Sequence, residues 1–320
     1  MAQVVVSEFM DEAGIEPLRK RFDVLYDARL VDDRKRLEGL LSGARALIVR
    51  NRTRVDGAIL AAGPRLEVVG RLGVGLDNID LAACRDRKIK VLAAEGANEV
   101  SVAEYVIAAA IMLLRNGAFH VTADVIAGKW PRERVIGQDI MGKTFGMIGF
   151  GAIARQVAKR AASFGVRLMA HDPFVAGEDP AWHDLGVTSC ELGDLFATSD
   201  ILSLHTPLTP QTRHLIGEKA IAAMRKGAVI INTARGGVID ERALAAALRS
   251  GHLGGAVLDV TEEEPLRNGA HLKDAPNLVV VPHVAGVTRQ SNLRISVMTG
   301  QNVLAALEGR PPSVKDSAVQ

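Results

Sequence analysis

Arg235, Glu264 and His283 each stand just beyond a short aliphatic run, in INTARGG, LDVTEEEPL and VVVPHVAG. Their side chains complement one another chemically. A guanidinium presents a fork of donors that grips a carboxylate through two parallel hydrogen bonds. An imidazole moves protons near neutral pH, and a carboxylate beside it orients the ring and favours its charged form. Taken singly, each has a plainer explanation: an exposed surface arginine, a solvated turn of three acids, or one histidine among eight. Asp259, at the end of the run Ala256 to Val260, could hold the amide of a bound cofactor or simply cap a turn.

Position gives these residues weight, because open α/β sheets bind ligands outside the C-terminal ends of their parallel strands. The runs Ile201 to Leu204, Ala228 to Asn232, Ala256 to Val260 and Leu278 to Val281 read as buried parallel strands. Helical patterns at Leu192 to Phe196 and Arg242 to Leu248 separate some of them. The series opens at Thr144 to Ala161, TFGMIGFGAIARQVAKRA, where a strand enters a glycine-rich turn and then a helix. Gly149 permits the tight turn, Gly151 has no side chain to block a pyrophosphate, and Ala154 replaces the third small residue of the motif. N–H groups at Gly151, Ala152 and Ile153 would face a diphosphate at the positive end of the helix dipole. A second strand, Arg167 to Ala170, leads to Asp172, roughly twenty residues on, where a carboxylate binds both ribose hydroxyls. Asp172 would repel a 2′-phosphate, and Pro173 and Phe174 offer no arginine to receive one, so the expected cofactor is NAD.

A second glycine pattern does not carry the same meaning. GQDIMGKT, Gly137 to Thr144, matches the P-loop spacing, but a strand follows it where a helix is required, and NTP hydrolysis is set aside.

At 320 residues, 48% apolar and only 4% aromatic, the chain suits two aliphatic α/β cores. A net charge of +2 without long basic blocks gives no footprint for nucleic acid. Cys84 and Cys190 are isolated, which excludes a cysteine-rich metal site and suits a reducing, cytoplasmic setting. No stretch has the length or flanks of a signal peptide or membrane span. The partners expected are small molecules, with no nucleic acid, no membrane and no metal. In the first hundred residues, strand-like runs at Val4 to Val6, Ala46 to Val49, Glu67 to Val69 and Lys90 to Leu92 alternate with helical segments. The glycine-dense Arg71 to Asp80, RLGVGLDNID, exposes backbone N–H groups that could hold a carboxylate, although a plain strand-to-helix turn would look similar. A helix is expected from about Asn98 to Leu114. The polar, Trp-containing His120 to Gln138 is long for a connection and is expected to pack on a second subunit.

GFGAIA, HDP, INTARGG, LDVTEEEP and PHVAG, in this order, together with RLGVGLDNID and ANEVSVAEYV, resemble the D-isomer-specific 2-hydroxyacid dehydrogenases. The likeness spans essentially the whole chain. It implies two doubly wound parallel-sheet domains, a Rossmann NAD-binding domain (99–287) inserted in a flavodoxin-like substrate domain (1–98 and 288–320). The catalytic trio implied is Arg235, Glu264 and His283. Gly149, Gly151, Ala152, Ile153, Asp172, His205, Thr206, Pro207, Thr233, Ala234, Arg235, Asp259 and His283 would line the cofactor site, His205 having a structural role as its alternative. A homodimer through the NAD-binding domain is also expected.

On this basis Arg235, with the N–H groups of Val74 and Gly75, would hold the carboxylate of a 2-keto acid. His283 would give its proton to the new alkoxide, and Glu264 would orient the imidazole. The loop Arg50-Asn51-Arg52-Thr53-Arg54 supplies more cations than one carboxylate needs. Alternation along an extended segment would aim Arg50, Arg52 and Arg54 to one side, toward a second anion. The alternative is a solvated basic turn. If the arginines act, the substrate is a three-carbon 2-hydroxy acid with a 3-sulfonate or 3-phosphate. VVSEFMDE, VRNRT and RLGVGLDNID resemble the family's sulfolactate-oxidising members, which favours sulfolactate over 3-phosphoglycerate or a hydroxypyruvate or glyoxylate substrate. A cofactor-sensing corepressor without enzymatic activity is the alternative of another class.

Overall fold

The structure is a computed structural model describing residues 2–319. The chain divides into two compact units, Met1–Asn98 with Val287–Gln320, and Glu99–Gly286.

The first unit is built on five strands, β1 (Val4–Val6), β2 (Val24–Tyr26), β3 (Ala46–Val49), β4 (Val68–Arg71) and β5 (Lys90–Ala93). They are all parallel, in the order β2-β1-β3-β4-β5. This is the flavodoxin-like winding. β1 and β3 are buried at every position, as aliphatic runs covered on both faces must be. One face packs on Ile15, Ile295, Val303 and Leu307, so the helix Arg289–Leu307 belongs to the core of this unit although it comes last in the chain.

The second unit contains β6 (Thr144–Ile148), β7 (Arg167–His171), β8 (Val187–Ser189), β9 (Ile201–Leu204), β10 (Val229–Asn232), β11 (Gly255–Leu258) and β12 (Leu278–Val280). Their order is β12-β11-β10-β9-β6-β7-β8, again all parallel. The winding reverses between β6 and β9, and there the loops leaving adjacent strands diverge and open a crevice. The helix Glu99–Leu114 covers this sheet through Val106, Ala110 and Leu113.

Two strands, β2 and β8, have no counterpart in the sequence pattern. Both are three-residue edge strands with little buried surface, so neither leaves an aliphatic run. Among the described residues no helix is long and apolar enough to cross a membrane.

Candidate active site

At the switch point, Gly149 follows β6 with φ +88°, and a Cβ there would lie 2.5 Å from the carbonyl oxygen of His205. Only glycine meets both demands. The helix Ala152–Ala161 starts from Gly151, which offers no side chain to cap its first N–H groups, and the space where a Cβ of Gly151 would point is open. That helix end is therefore left for an anion. Asp172 accepts hydrogen bonds from the N–H of Phe150 at 2.8 Å and of Phe174 at 2.9 Å, tying the loop after β7 to the glycine turn.

Further along the rim, the hydroxyl of Thr233 is buried without a hydrogen-bond partner among the described residues. Leaving such a group unsatisfied costs about 1–3 kcal/mol, which a bound ligand would recover. The Asn232 amide closes the turn around it, accepting from Ala234 N–H at 3.0 Å and donating to Arg235 carbonyl at 2.9 Å. His205, Thr206 and Pro207 follow β9 at the same edge. The His205 ring nitrogen Nε2 lies 3.0 Å from Ser203 Oγ, and burial pushes the imidazole pKa down to about 4, so it is neutral at pH 7. The open helix end, the orphaned hydroxyl and the carboxylate after β7 fit a dinucleotide.

The three chemically paired residues come together in this same unit. His283 Nδ1 lies 3.0 Å from Glu264 Oε2, which leaves Nε2 as the ring atom available for proton transfer. Burial pushes the Glu264 carboxyl up, but the His283 hydrogen bond and charge, with the Arg235 guanidinium, outweigh it and hold the group below the ordinary range. Arg235 donates to its neighbour's carbonyl, Ala234 O, at 2.7 Å. The buried carboxylate of Asp259 accepts from Val284 N–H at 2.6 Å and Ala285 N–H at 3.0 Å, fixing the chain just after His283. Gly236 permits another close approach, since a Cβ there would lie 1.7 Å from the Thr261 carbonyl oxygen. The loop of Arg235 is thereby pressed against the loop of Glu264.

In the first unit, the loop after β3 departs from expectation. Residues 51–53 form bends, not an extended segment, so alternation cannot aim Arg50, Arg52 and Arg54 to one side. The reason is Glu8, a buried carboxylate that draws in the N–H groups of Arg50 (2.8 Å), Arg52 (3.2 Å) and Thr53 (2.9 Å). The Asn78 amide binds the carbonyls of Arg50 and Thr53 from the other side. Arg50 donates to Asn292 Oδ1 at 2.7 Å, and burial lowers the pKa of its guanidinium. Arg52 pairs with Asp32, both largely exposed. Val74 and Gly75 lie on a loop braced by the buried Arg71, which donates to the Gly75 carbonyl at 2.7 Å. Among the described residues, the N–H groups of Val74 and Gly75 have no acceptor.

Residues 107–285 match the family model for the NAD-binding domain of D-isomer specific 2-hydroxyacid dehydrogenases. The chain belongs to this family. It is an NAD-dependent oxidoreductase of the 2-hydroxyacid dehydrogenase kind. It is 54% identical to an (S)-sulfolactate dehydrogenase of Chromohalobacter salexigens, over 96% of this chain and 99% of that one. A D-3-phosphoglycerate dehydrogenase of Archaeoglobus fulgidus is 34% identical over 97% of this chain, which spans only 58% of that longer protein. Among solved structures, a D-lactate dehydrogenase of Aquifex aeolicus, in complex with NAD and lactic acid, superposes with a TM-score of 0.81 at 27% identity, covering 96% of each chain.

In this dehydrogenase, Asp172 supports the glycine turn. Asp172→Ala is expected to raise KM for NAD about tenfold, through the loss of charge-assisted bonds worth about 1.5–3 kcal/mol, and to narrow the preference over NADP. Initial rates with both cofactors check this. Equal efficiency with NADP in the unaltered enzyme would contradict it. Pattern reading missed Glu8, Arg71, Asn78 and Gly236, whose roles depend on partners brought near only by folding. The one available signal was Gly236, next to a second glycine in ARGG.

Proposed function

We propose that the enzyme interconverts a three-carbon 2-hydroxy acid bearing a second anion, sulfolactate before 3-phosphoglycerate, with its 2-keto acid. The 54% identity to an (S)-sulfolactate dehydrogenase across nearly both full lengths carries this proposal. NAD, when bound, supplies or accepts the hydride. Arg235 grips the substrate carboxylate through its fork of donors. His283 holds the mobile proton on Nε2, giving it to the oxygen on reduction and removing it on oxidation. Glu264 keeps the ring oriented through His283 Nδ1. Arg50 and Arg52 receive the second anion. The half-buried Arg50 guanidinium gains most from such a partner, and the exposed Arg52–Asp32 pair, of a kind worth about 0–1 kcal/mol, is readily exchanged for it.

A homodimer is proposed through the second unit, whose segment between the helix Glu99–Leu114 and β6 leaves Ile126 82% and Trp130 74% exposed, with Phe119, Ile136 and Met141 also exposed. An apolar surface of this extent suits a partner subunit. The free thiols of Cys84 and Cys190 suit a cytoplasmic setting.

The test is oxidation of 3-sulfolactate, 3-phosphoglycerate, lactate and glycerate with NAD, compared by kcat/KM. The anionic-tail substrates are expected to lead, and Arg52→Ala to weaken them about tenfold or more, as a lost charged hydrogen bond requires, leaving lactate unaffected. Should lactate or glycerate win, or the variant lower every substrate equally, the second-anion assignment is wrong.

A further inference from the structure

Glu241 is the first residue of the helix Glu241–Arg249, a position where a glutamate ordinarily reaches into water, yet it is only 3% exposed. Burying a carboxylate is costly unless its oxygens are bonded. Here both are. Oε1 accepts the N–H of Glu262 at 2.7 Å, and Oε2 meets His271 Nε2 at 2.7 Å. The exchange runs in both directions, because Glu262 Oε1 accepts the N–H of Glu241 at 3.2 Å and lies 3.3 Å from His214 Nε2. Glu262 is two residues from Glu264, and the turn between them is closed by Thr261, whose N–H donates to Glu264 Oε1 and whose hydroxyl donates to the Glu263 carbonyl. The other side of Thr261 is pressed on Gly236. The segment bearing Glu264 is thus held at one point by a reciprocal carboxylate-to-backbone clasp, and the only charged group in that clasp that is itself buried is Glu241.

We infer that Glu241, braced by His271, is a positioning residue that sets where the Glu264 carboxylate meets His283. This inference rests on the Glu264–His283 pair of the proposed function. Glu241 acts through the backbone of residues 261–264 and does not contact the His283 ring. With an alanine there, the N–H of Glu262 loses its acceptor and the segment shifts. A displacement on the order of 1 Å near reacting groups can cost a hundredfold in rate.

The experiment measures NADH oxidation with a 2-keto acid as a function of pH for Glu241→Ala, Glu241→Gln, Glu264→Gln and the Glu241→Ala/Glu264→Gln double variant. Glu241→Ala should lower kcat roughly ten- to a hundredfold, with KM for NADH little changed. Its rate should also fall away at lower pH than in the unaltered enzyme, as in Glu264→Gln, because a displaced carboxylate no longer favours the charged imidazole. Glu241→Gln, whose amide oxygen still accepts the Glu262 N–H, should retain most of the turnover and the original profile. In the Glu264→Gln background, Glu241→Ala should add no further shift. An unmoved profile in Glu241→Ala, or a glutamine variant no better than the alanine one, overturns the inference while the pair itself stands. If Glu264→Gln leaves the profile unmoved, the pair fails and the inference with it. Should Glu241→Ala not fold, His271→Ala, which strips Oε2 of its partner, must move the profile in the same direction, and an unmoved profile there is equally decisive.

Discussion

Replacing His283 by alanine is expected to lower turnover by roughly 10²- to 10⁴-fold, the usual worth of a positioned general acid and base, while NAD binding survives. The geometry supports so large an effect. His283 Nδ1 is engaged by Glu264 at 3.0 Å, the chain after it is fixed by the Asp259 carboxylate, and its own N–H donates to Asp259 carbonyl at 2.8 Å. His205, neutral through burial, and His271, engaged by Glu241, are not available to take over the proton. Turnover and NAD titration on the purified variant check this, and near-normal turnover would remove His283 from its role. The pair also carries a pH signature. Glu264 has a folded-state pKa lowered from its ordinary 4.5, so it is ionised throughout the physiological range. Its depressed value contributes stability above about pH 4.5 that is lost as pH falls through the lower folded value. Glu264→Gln should therefore flatten the acid side of the thermal-stability curve.

Arg235→Ala is expected to lower kcat/KM by about 10²- to 10³-fold, the scale seen when a preorganised donor to the reacting oxygen is removed. The loss should fall on both KM and kcat, because in the proposed mechanism the guanidinium would grip the ground-state carboxylate and polarise the keto oxygen. Arg235→Lys is not expected to rescue it, since an ammonium lacks the planar fork. Kinetics with a saturable 2-keto acid check this. A lysine variant with near-normal kcat/KM would mean that Arg235 acts as a charge alone. Arg235→Ala would also disturb the pair, because the Arg235 charge helps hold Glu264 ionised.

Much of this was legible in the amino-acid order. Aliphatic runs ending in Asn232, Val260 and Val281 announced parallel strands, and the residues just past them lie at the ligand-binding rim for a reason of geometry common to all open α/β sheets. GFGAIA, followed by a helix and a second strand, pointed to an NAD-binding domain through local backbone requirements that a short window contains. The family likewise follows from motifs in order along the chain. Tertiary structure alone decided the rest. The loop holding Arg50 and Arg52 is bent because Glu8, more than forty residues earlier, takes its N–H groups. Asp259 holds the turn after His283 across 25 and 26 residues, and Glu241 is buried because Glu262 and His271 come to meet it. β2 and β8 exist because neighbouring strands satisfy their backbone groups, not because their side chains demand burial. Sequence periodicity reports which side chains must leave water. Which distant polar group a buried carboxylate finds is settled only when the sheet order brings the two loops side by side.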